Sequence, residues 1–331
     1  MAVSTVARAA DALLEASVIG GFSRIGLAAR SRLLPEFTAG ARARLDGRTV
    51  VITGATSGIG HATAIRLAGL GAAVHFLARD PGRAAAACGR IAAASGSRQV
   101  SYGLADLNEP GSVRSFAAEY LSTHDRLDVL IHNAGALHAS YRVNGAGTEL
   151  TVAGQVIAPF LLTSLLLPAL RAAGRSRVIT VSSAGMYTQR LDPVALQMTA
   201  LRYRGVTAYA RAKRAQVALS REWARRLAGT GVVFHAMHPG WVDTAGIAAA
   251  LPRFHRVMWP LLRTPGEGAD TIVWLATADP ARLGSGRFWH DRRPRAEHRL
   301  PWTREAPGAG QMLWDRIESA ERLAVPSVPG G

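Results

Sequence analysis

Tyr209 and Lys213, four residues apart, are the strongest candidates for chemistry in this sequence of 331 residues. Residues four apart lie on one face of a helix, so the phenol and the ammonium can meet at one substrate. A free tyrosine, with a pKa of ~10, is a poor acid–base catalyst at neutral pH, and a nearby ammonium lowers that pKa. Lys213 is the only lysine, and arginine fills every other Lys-or-Arg position. The pair is predicted to transfer a proton.

Short apolar runs alternate with helix-length segments from Thr49 to His235. The runs that predict strands are 50–52, 74–77, 100–102, 129–131, 178–181 and 232–235. The segments between them predict helices, among them 82–94, 110–123, 149–172 and 207–228, the last of which carries Tyr209 and Lys213. Strands separated by helices indicate βαβ units and a parallel sheet covered on both faces.

A glycine-rich turn, Thr53–Gly60, follows the first predicted strand directly and opens a predicted helix. Its sequence is TGATSGIG. The glycines let the backbone approach a pyrophosphate, and the N-terminus of the helix offers free N–H groups and positive partial charge. The strand–turn–helix context is the one that a dinucleotide-binding turn requires.

The turn resembles the TGxxxGxG motif of the short-chain dehydrogenase/reductase family, and Tyr209 with Lys213 resembles its YxxxK motif. Further segments follow in the order of the family, each at the end of a predicted strand: Asp106-Leu107, then His132-Asn133-Ala134-Gly135 with His132 in place of an asparagine, then Pro239-Gly240-Trp241-Val242-Asp243-Thr244. The resemblance implies a Rossmann fold, a doubly wound seven-stranded parallel sheet in the order 3-2-1-4-5-6-7 with helices on both faces.

The resemblance also implies the residues of a cofactor site. It places Asp106-Leu107 at the adenine, Lys213 at the ribose hydroxyls and Thr244 at the nicotinamide carboxamide. The full implied set is Gly54, Thr56, Ser57, Gly58, Ile59, Gly60, Arg79, Asp106, Leu107, Asn133, Ala134, Gly135, Tyr209, Lys213, Pro239, Gly240, Val242 and Thr244.

The end of the second strand favours NADP(H) over NAD(H). Family members that use NAD place a carboxylate there, where it holds the ribose 2′-hydroxyl. Here the position is Ala78, followed by Arg79, and a guanidinium suits a 2′-phosphate. Asp80 is the rival ribose ligand, interpreted instead as a solvated turn residue before Pro81. NAD(H) therefore stays an alternative.

The resemblance assigns two further catalytic positions. Ser183 matches the serine that would hydrogen-bond a substrate carbonyl as charge develops on its oxygen, with Ser182 as the structural alternative. Gln155 falls where the family has an asparagine that serves a proton-relay water near the lysine. Gln155 either holds that water with a longer arm or weakens the relay. The intervening segment Met186–Val206 is expected to loop over the mouth of the site.

Residues 178–303 resemble one subgroup of the family, that of the dehydrogenase/reductase SDR family member twelve and its bacterial relatives. The matching phrases include the runs Met237–Trp241 and Ser285–Arg292. The resemblance implies reversible hydride transfer between a nicotinamide and a carbonyl or alcohol. The alternative is a catalytically weak NADP-binding sensor or scaffold, motivated by Gln155.

An apolar segment at 244–265 corresponds to the substrate lobe of the family. Its large apolar residues are Ile247, Leu251, Phe254, Val257, Met258, Trp259, Leu261 and Leu262. Either they line a site for a lipophilic aldehyde, ketone or alcohol of retinoid, steroid or fatty type, or they pack the lobe onto the sheet.

The net charge of +16 could suggest nucleic acid or anionic membrane. The arginines are scattered and no helix-turn-helix or zinc signature occurs, so we expect no nucleic-acid partner and no metal. No uninterrupted apolar stretch of 18 residues predicts a transmembrane helix. The N-terminal stretch from Val6 to Leu34 mixes apolar and basic residues, which predicts either an interfacial helix in peripheral membrane contact or a helix packed on its own domain.

Three parts are expected: an N-terminal helical extension at 1–45, the catalytic domain at 46–300 with its lobe, and a tail at 301–331 that is partly helical. The single cysteine, Cys88, fits a reducing compartment, so a cytoplasmic protein is expected, with membrane association as the alternative. By analogy with the family, a homo-oligomer built from the helices at 149–172 and 207–228 is expected.

Overall fold

A twisted sheet forms the centre of the computed structural model, which describes residues 5–38, 43–279 and 283–321. The seven parallel strands lie in the order β3-β2-β1-β4-β5-β6-β7, and a short eighth strand pairs antiparallel with β7. The expected strand order is therefore confirmed, with one edge strand added. The strands are β1 Thr49–Thr53, β2 Ala73–Ala78, β3 Val100–Leu104, β4 Val129–His132, β5 Ser176–Val181, β6 Val232–Met237, β7 Arg287–His290 and β8 Arg293–Pro294.

Helices cover both faces of this sheet. They are α1 Thr5–Ala16, α2 Val18–Phe22, α3 Arg24–Leu33, α4 Pro35–Thr38, α5 Gly58–Gly69, α6 Pro81–Ser95, α7 Pro110–Thr123, α8 Leu150–Ala172, α9 Gly205–Arg226, α10 Ala245–Ala250, α11 Pro252–Met258, α12 Pro265–Gly268, α13 Asp270–Thr277 and α14 Ala309–Ala320. Short 3₁₀ turns occur at Ala184–Thr188, Ala200–Arg202, Trp259–Leu261 and Pro301–Thr303. A helix in the connection between two neighbouring strands returns the chain to the same end of the sheet, so the two strands run parallel.

The helix α8 is buried on one face of the sheet. Its second turn, Ala153–Ile157, widens to a π-helix, a feature that often marks functional sites. Among the described residues α8 is the one helix long and apolar enough to cross a membrane by length and composition, and 72% of its most apolar window is buried inside the protein. The helix α8 is therefore buried in the way that is typical of a core helix.

The N-terminal helices are attached to the sheet by a buried ionic cluster. Arg30, on α3, donates to Asp11 of α1 at 2.8 Å and to Asp291, just after β7, at 2.7 Å. Asp291 also accepts two bonds from Arg263 at 2.6 and 2.9 Å. Arg30, Arg263 and Asp291 are buried almost completely, so the cluster satisfies charges that could not otherwise leave water.

The C-terminal helix α14 packs across α8 and α9. Trp314 is completely buried, with its ring 4.7 Å from that of Phe160 on α8 and 4.6 Å from that of Trp223 on α9. The predicted helical patch in the tail ends at Ala320 in the structure, and residues 322–331 lie outside the described residues.

Candidate active site

Tyr209, Ser183 and Lys213 come together at the carboxyl edge of the sheet. Tyr209 lies in the second turn of α9, and Ser183 follows β5 by two residues. The Tyr209 side chain hydrogen-bonds Ser183. The Ser183 hydroxyl also accepts from the backbone N–H of Gly185 at 3.3 Å, which fixes its direction. Ser182, by contrast, donates to the backbone carbonyl of Lys213 and so holds α9 against β5.

Two opposing effects act on the phenol. Burial raises the pKa of Tyr209, and the hydrogen bond with Ser183 lowers it, with a net rise. The Lys213 ammonium lies 5.3 Å from the centre of the Tyr209 ring. The sequence predicted that this ammonium would lower the pKa of Tyr209; in the structure the pKa is raised by burial, and the effect that opposes burial is the hydrogen bond with Ser183.

Lys213 is buried at the end of β5. Its Nζ donates to the Val181 carbonyl at 2.9 Å and to Gln216 Oε1 at 3.1 Å. Burial lowers the pKa of Lys213 to about 7, because a cation is poorly solvated away from water. Among the described residues no carboxylate forms an ion pair with it, so neutral oxygens alone hold the charge.

Gln155 lies in the π-helical turn and points toward Lys213. Its Nε2 donates to the Ala136 carbonyl at 2.6 Å, while its buried Oε1 has no hydrogen-bond partner in the described parts of the chain. A Cβ placed on Gly135 would lie 3.1 Å from Lys213 Nζ and 3.2 Å from Gln155 Oε1. An amide oxygen and the ammonium therefore face the same small space.

The sequence analysis missed Gln216. It lies three residues after Lys213 on α9, and that spacing on one helix face was the available indication. Its Nε2 donates to the Gln155 backbone carbonyl at 2.7 Å, so one side chain connects the lysine to the π-helical turn.

The glycine-rich turn forms a cradle that side chains would fill. Gly54 has a φ of 73°, in the left-handed region, and a Cβ on Gly60 would lie 2.3 Å from the Gly54 carbonyl oxygen. Asn133 closes the back of the turn, donating from Nδ2 to the carbonyls of Thr53 and Gly54 at 3.0 and 3.1 Å. The Thr53 hydroxyl accepts from the backbone N–H groups of Asn133 and Ala134.

The rest of the turn faces outward. Ser57 is exposed at the N-cap of α5 and makes no capping hydrogen bond with its side chain; Thr56 and Ile59 are partly buried. Gly58 lies against Thr244, because a Cβ there would be 3.4 Å from the Thr244 methyl carbon. The first turn of α5 thus has room for an anion beside it.

Arg79 and Asp80 differ in their surroundings at the end of β2. Arg79 is 71% exposed and lies 3.6 Å from Asp106 across the gap to β3. Asp80 caps α6, accepting from the Arg83 backbone N–H at 2.7 Å. Capping occupies one carboxylate oxygen of the rival ribose ligand, whereas Arg79 reaches into solvent. Leu107 packs against the core near α7.

The segment after β6 is held by residues from two other parts of the chain. The Pro239 carbonyl accepts from Arg263 at 3.1 Å, and the Trp241 N–H donates to the Phe22 carbonyl of α2 at 2.8 Å. Val242 bridges to Arg263 as a short parallel pair. The Thr244 hydroxyl caps α10, so that oxygen is already used as an acceptor.

The substrate lobe follows this segment and contains the helices α10 and α11. Of its eight large apolar residues only Leu262 is buried, whereas Val257 is 74% exposed and Trp259 is 60% exposed. The other five are partly buried, so the lobe packs its apolar residues only in part. Opposite it, the segment before α9 packs on the loop after β4, where Tyr203 donates to the His138 carbonyl at 3.2 Å.

Comparison with known proteins places this geometry in a family. A sequence profile described as short chain dehydrogenase matches residues 48–252. The chain is 39% identical over 284 residues to the Dehydrogenase/reductase SDR family member 12 of Bos taurus, covering 85% of this chain and 87% of that protein. It is 36% identical over 296 residues to Retinol dehydrogenase 14 of Homo sapiens, covering 83% of this chain and 86% of the other.

Solved structures agree. A protein of Mycobacterium paratuberculosis superposes with a TM-score of 0.69 at 30% identity, over 86% of this chain and 97% of the other. A Beutenbergia cavernae structure titled as an NAD(P)-dependent gluconate 5-dehydrogenase with bound NADP superposes with a TM-score of 0.62 at 30% identity, over 75% and 96% of the two chains. With its profile match, its sheet order and its site, the chain belongs to the short-chain dehydrogenase/reductase family of oxidoreductases.

Proposed function

We propose that this protein is an NADP(H)-dependent oxidoreductase that interconverts a lipophilic carbonyl compound and its alcohol. The observation that carries the proposal is the meeting of Tyr209, Ser183 and Lys213 at one point, beside the glycine cradle. In the reducing direction the Ser183 hydroxyl donates to the carbonyl oxygen and Tyr209 gives that oxygen its proton. When bound, NADP(H) supplies the hydride to the carbonyl carbon or accepts it back.

The residues present fit a dinucleotide. Side chains at Gly54 or Gly60 would collide with neighbouring backbone, so these glycines allow the tight turn that a dinucleotide-binding site requires. Ala78 leaves no carboxylate at the end of β2, and the exposed Arg79 offers a guanidinium for the 2′-phosphate. These features support NADP(H) over NAD(H). The remaining members of the implied set, from Thr56 to Thr244, are proposed contacts of the same ligand.

The lobe supports a lipophilic substrate. Its half-buried and exposed apolar residues include Phe254, which is in edge contact with Trp241 at 5.3 Å, and they give the lobe an apolar surface. A water-soluble polar substrate would leave these side chains without a partner. We therefore propose a retinoid-, steroid- or fatty-type aldehyde, ketone or alcohol.

The test is oxidation of NADPH by the purified protein with a panel of lipophilic aldehydes and ketones. We expect Tyr209→Phe to lower kcat/KM by about 100-fold or more while leaving NADPH binding intact. Tyr203→Phe, which removes a hydroxyl outside the reacting group, is the matched control. Full activity in Tyr209→Phe would overturn the assigned role. Tight NADPH binding without turnover on any member would instead favour the sensor or scaffold alternative.

We also propose that the outer surface of α1–α3 docks on an anionic membrane. Its exposed large residues are apolar or basic: Val6, Arg8, Leu13, Val18, Ile19, Arg24, Ile25, Arg32 and Leu33. The acidic Asp11 and Glu15 turn inward to Arg30, Arg295 and other arginines. An apolar face bordered by cations suits anionic lipid headgroups. The buried Phe22 of this segment lies 5.8 Å from Trp241, three residues before the lobe, so docking would hold the lobe near the membrane.

The homo-oligomer expected through α8 and α9 stays a prediction. The structure adds a constraint to it, because α14 covers both helices where Trp314 inserts. We propose that any self-association uses the parts of α8 and α9 that α14 leaves uncovered.

A further inference from the structure

We propose that Gln216 is a positioning residue that orients the Lys213 ammonium toward Tyr209 and Gly135. The inference rests on the proposed function for its purpose, but the contacts that carry it are those of the protein itself. Gln216 is 3% exposed, and both ends of its amide are used: Oε1 accepts from Lys213 Nζ at 3.1 Å and Nε2 donates to the Gln155 carbonyl at 2.7 Å.

Because both ends of the Gln216 amide form hydrogen bonds, its two partners determine which end faces Lys213. A glutamine amide has one acceptor oxygen and one donor nitrogen. Because the Gln155 carbonyl can only accept, it binds the nitrogen of Gln216, and the oxygen must then point to the ammonium. The π-helical turn that contains Gln155 therefore determines the orientation of the amide that holds Lys213.

The ammonium has three N–H donors, and two are directed by the protein. One goes to the Val181 carbonyl at 2.9 Å and one to Gln216. With two directions fixed, tetrahedral geometry fixes the third. The open neighbours of Nζ are the Tyr209 ring, with its centre 5.3 Å away, and the space above Gly135. The third N–H is thus left for the site.

The titratable groups that face Lys213 are few. Tyr209 is one, and His132 lies beyond Gln216 across a cavity of about 20 Å³ lined also by Thr180 and Ser220. Burial lowers the pKa of His132 to about 3, so it carries no charge near neutral pH. Among the described residues, the Gln216 oxygen is therefore one of two acceptors that favour the charged form of Lys213.

The unique lysine allows a direct test. Protein grown with lysine labelled with ¹⁵N and ¹³C gives one Nζ and one Cε resonance, whose pH titration reports Lys213 alone. Gln216→Met, without an acceptor, is expected to lower the pKa of Lys213 by about one unit. Gln216→Glu places an anion beside the ammonium and is expected to raise it by about one unit or more.

If Gln216 had only a structural role, the two variants would not shift the pKa of Lys213 in opposite directions. If Gln216 only filled space, its loss would admit water and move the pKa of Lys213 upward in both variants. An upward shift or no shift in Gln216→Met would overturn the proposal. Gln216→Leu, also without an acceptor, replaces Gln216→Met if that variant does not fold.

The control is Ser220→Ala, one helical turn further along α9 on the same cavity, which should leave the titration unchanged. The titration uses neither cofactor nor substrate, so its outcome is independent of the proposed function. If a carbonyl in the panel is reduced, the alkaline limb of kcat/KM should move to lower pH in Gln216→Met and to higher pH in Gln216→Glu.

Discussion

Lys213 illustrates how a cation is kept in the interior without a carboxylate beside it. Two neutral oxygens hold it, and its pKa falls to about 7. A carboxylate would stabilise the charge more strongly, but it would also compete with a ribose hydroxyl or a phenolate for the ammonium. Neutral acceptors leave the charge available to whatever enters the site. Burial alone would discharge the lysine, so the acceptors must balance it.

Arg79 provides a test of cofactor choice at the same scale. We expect Arg79→Gln to raise KM for NADPH by about tenfold, the loss of one charge-assisted hydrogen bond, and to leave KM for NADH nearly unchanged. Steady-state kinetics with both cofactors measure the difference. Arg83→Gln, an exposed guanidinium in the first turn of α6, is the matched control. Equal effects on both cofactors would show that Arg79 does not contact the 2′-phosphate.

At the scale of elements, the N-terminal helices support the segment after β6 that borders the site. The Phe22 carbonyl binds the Trp241 N–H, and Arg263 reaches both Pro239 and the carbonyls of Gly21 and Ser23. Asp291, with a φ of 49°, compensates the buried charge of Arg30 and Arg263. Its pKa is lowered because the neighbouring cations outweigh the cost of burial. The extension is thus part of the scaffold of the site.

Replacing Asp291 should destabilise this junction. Asn tolerates the same left-handed backbone, so Asp291→Asn removes the charge with little change of shape. It removes the carboxylate that pairs with the buried Arg263 and one of the three carboxylates around Arg30, and we expect the free energy of unfolding to fall by about 3–5 kcal/mol. Denaturant unfolding measures the loss. Asp46→Asn, at the exposed pair with Arg44, should cost less than about 1 kcal/mol. Similar small losses in both variants would contradict the role of the cluster.

At the scale of the molecule, the distribution of the net charge of +16 supports the proposed docking on an anionic membrane. Many arginines are used in ion pairs within the fold, whereas those on the surface of α1–α3 alternate with exposed apolar residues. The acidic residues of the same helices are drawn inward. The result is a surface without exposed acids over the described part of the N-terminal helices, next to the lobe.

Sedimentation with vesicles tests this surface. We expect the full chain to bind vesicles that contain phosphatidylserine, to bind neutral phosphatidylcholine weakly, and to dissociate in high salt. Ile19→Ser with Ile25→Ser should weaken binding by about tenfold or more. Val194→Ser, an exposed apolar residue outside these helices, should have no effect. Absence of binding to the anionic vesicles would refute membrane docking.

The helix α14 leads to a second prediction at this scale. A chain that ends at Gly308 exposes the apolar faces of α8 and α9 that Trp314 covers. We expect it to self-associate more strongly than the full chain in sedimentation velocity over a series of concentrations. Met312→Ala, on the exposed side of α14, should behave like the full chain. Unchanged association in the shortened chain would show that α14 does not protect these helices.

The sequence by itself determined the elements and motifs that depend only on residues close together along the chain. The alternation of apolar runs and helical segments predicted a parallel sheet covered by helices, and the family resemblance implied its strand order. The spacing of glycines in the turn and of Tyr209 and Lys213 on one helix predicted their context. Such patterns are set by backbone geometry and side-chain period, which are local. The bounds of α8 and α9 accordingly lie within two residues of those predicted.

Only the tertiary structure decided the features that join distant parts. The sequence suggested one amphipathic helix from Val6 to Leu34, but the chain breaks into separate helices around Ser17 and Ser23 so that Arg30 can reach Asp291, 261 positions away. Gln216 contacts Gln155 across 61 positions. No local pattern encodes these pairs, because a buried charge or amide is stabilised only by the partners that packing brings to it. The motif of Tyr209 and Lys213 can be recognised in the sequence, whereas the oxygens that accept from Lys213 can be identified only in the structure.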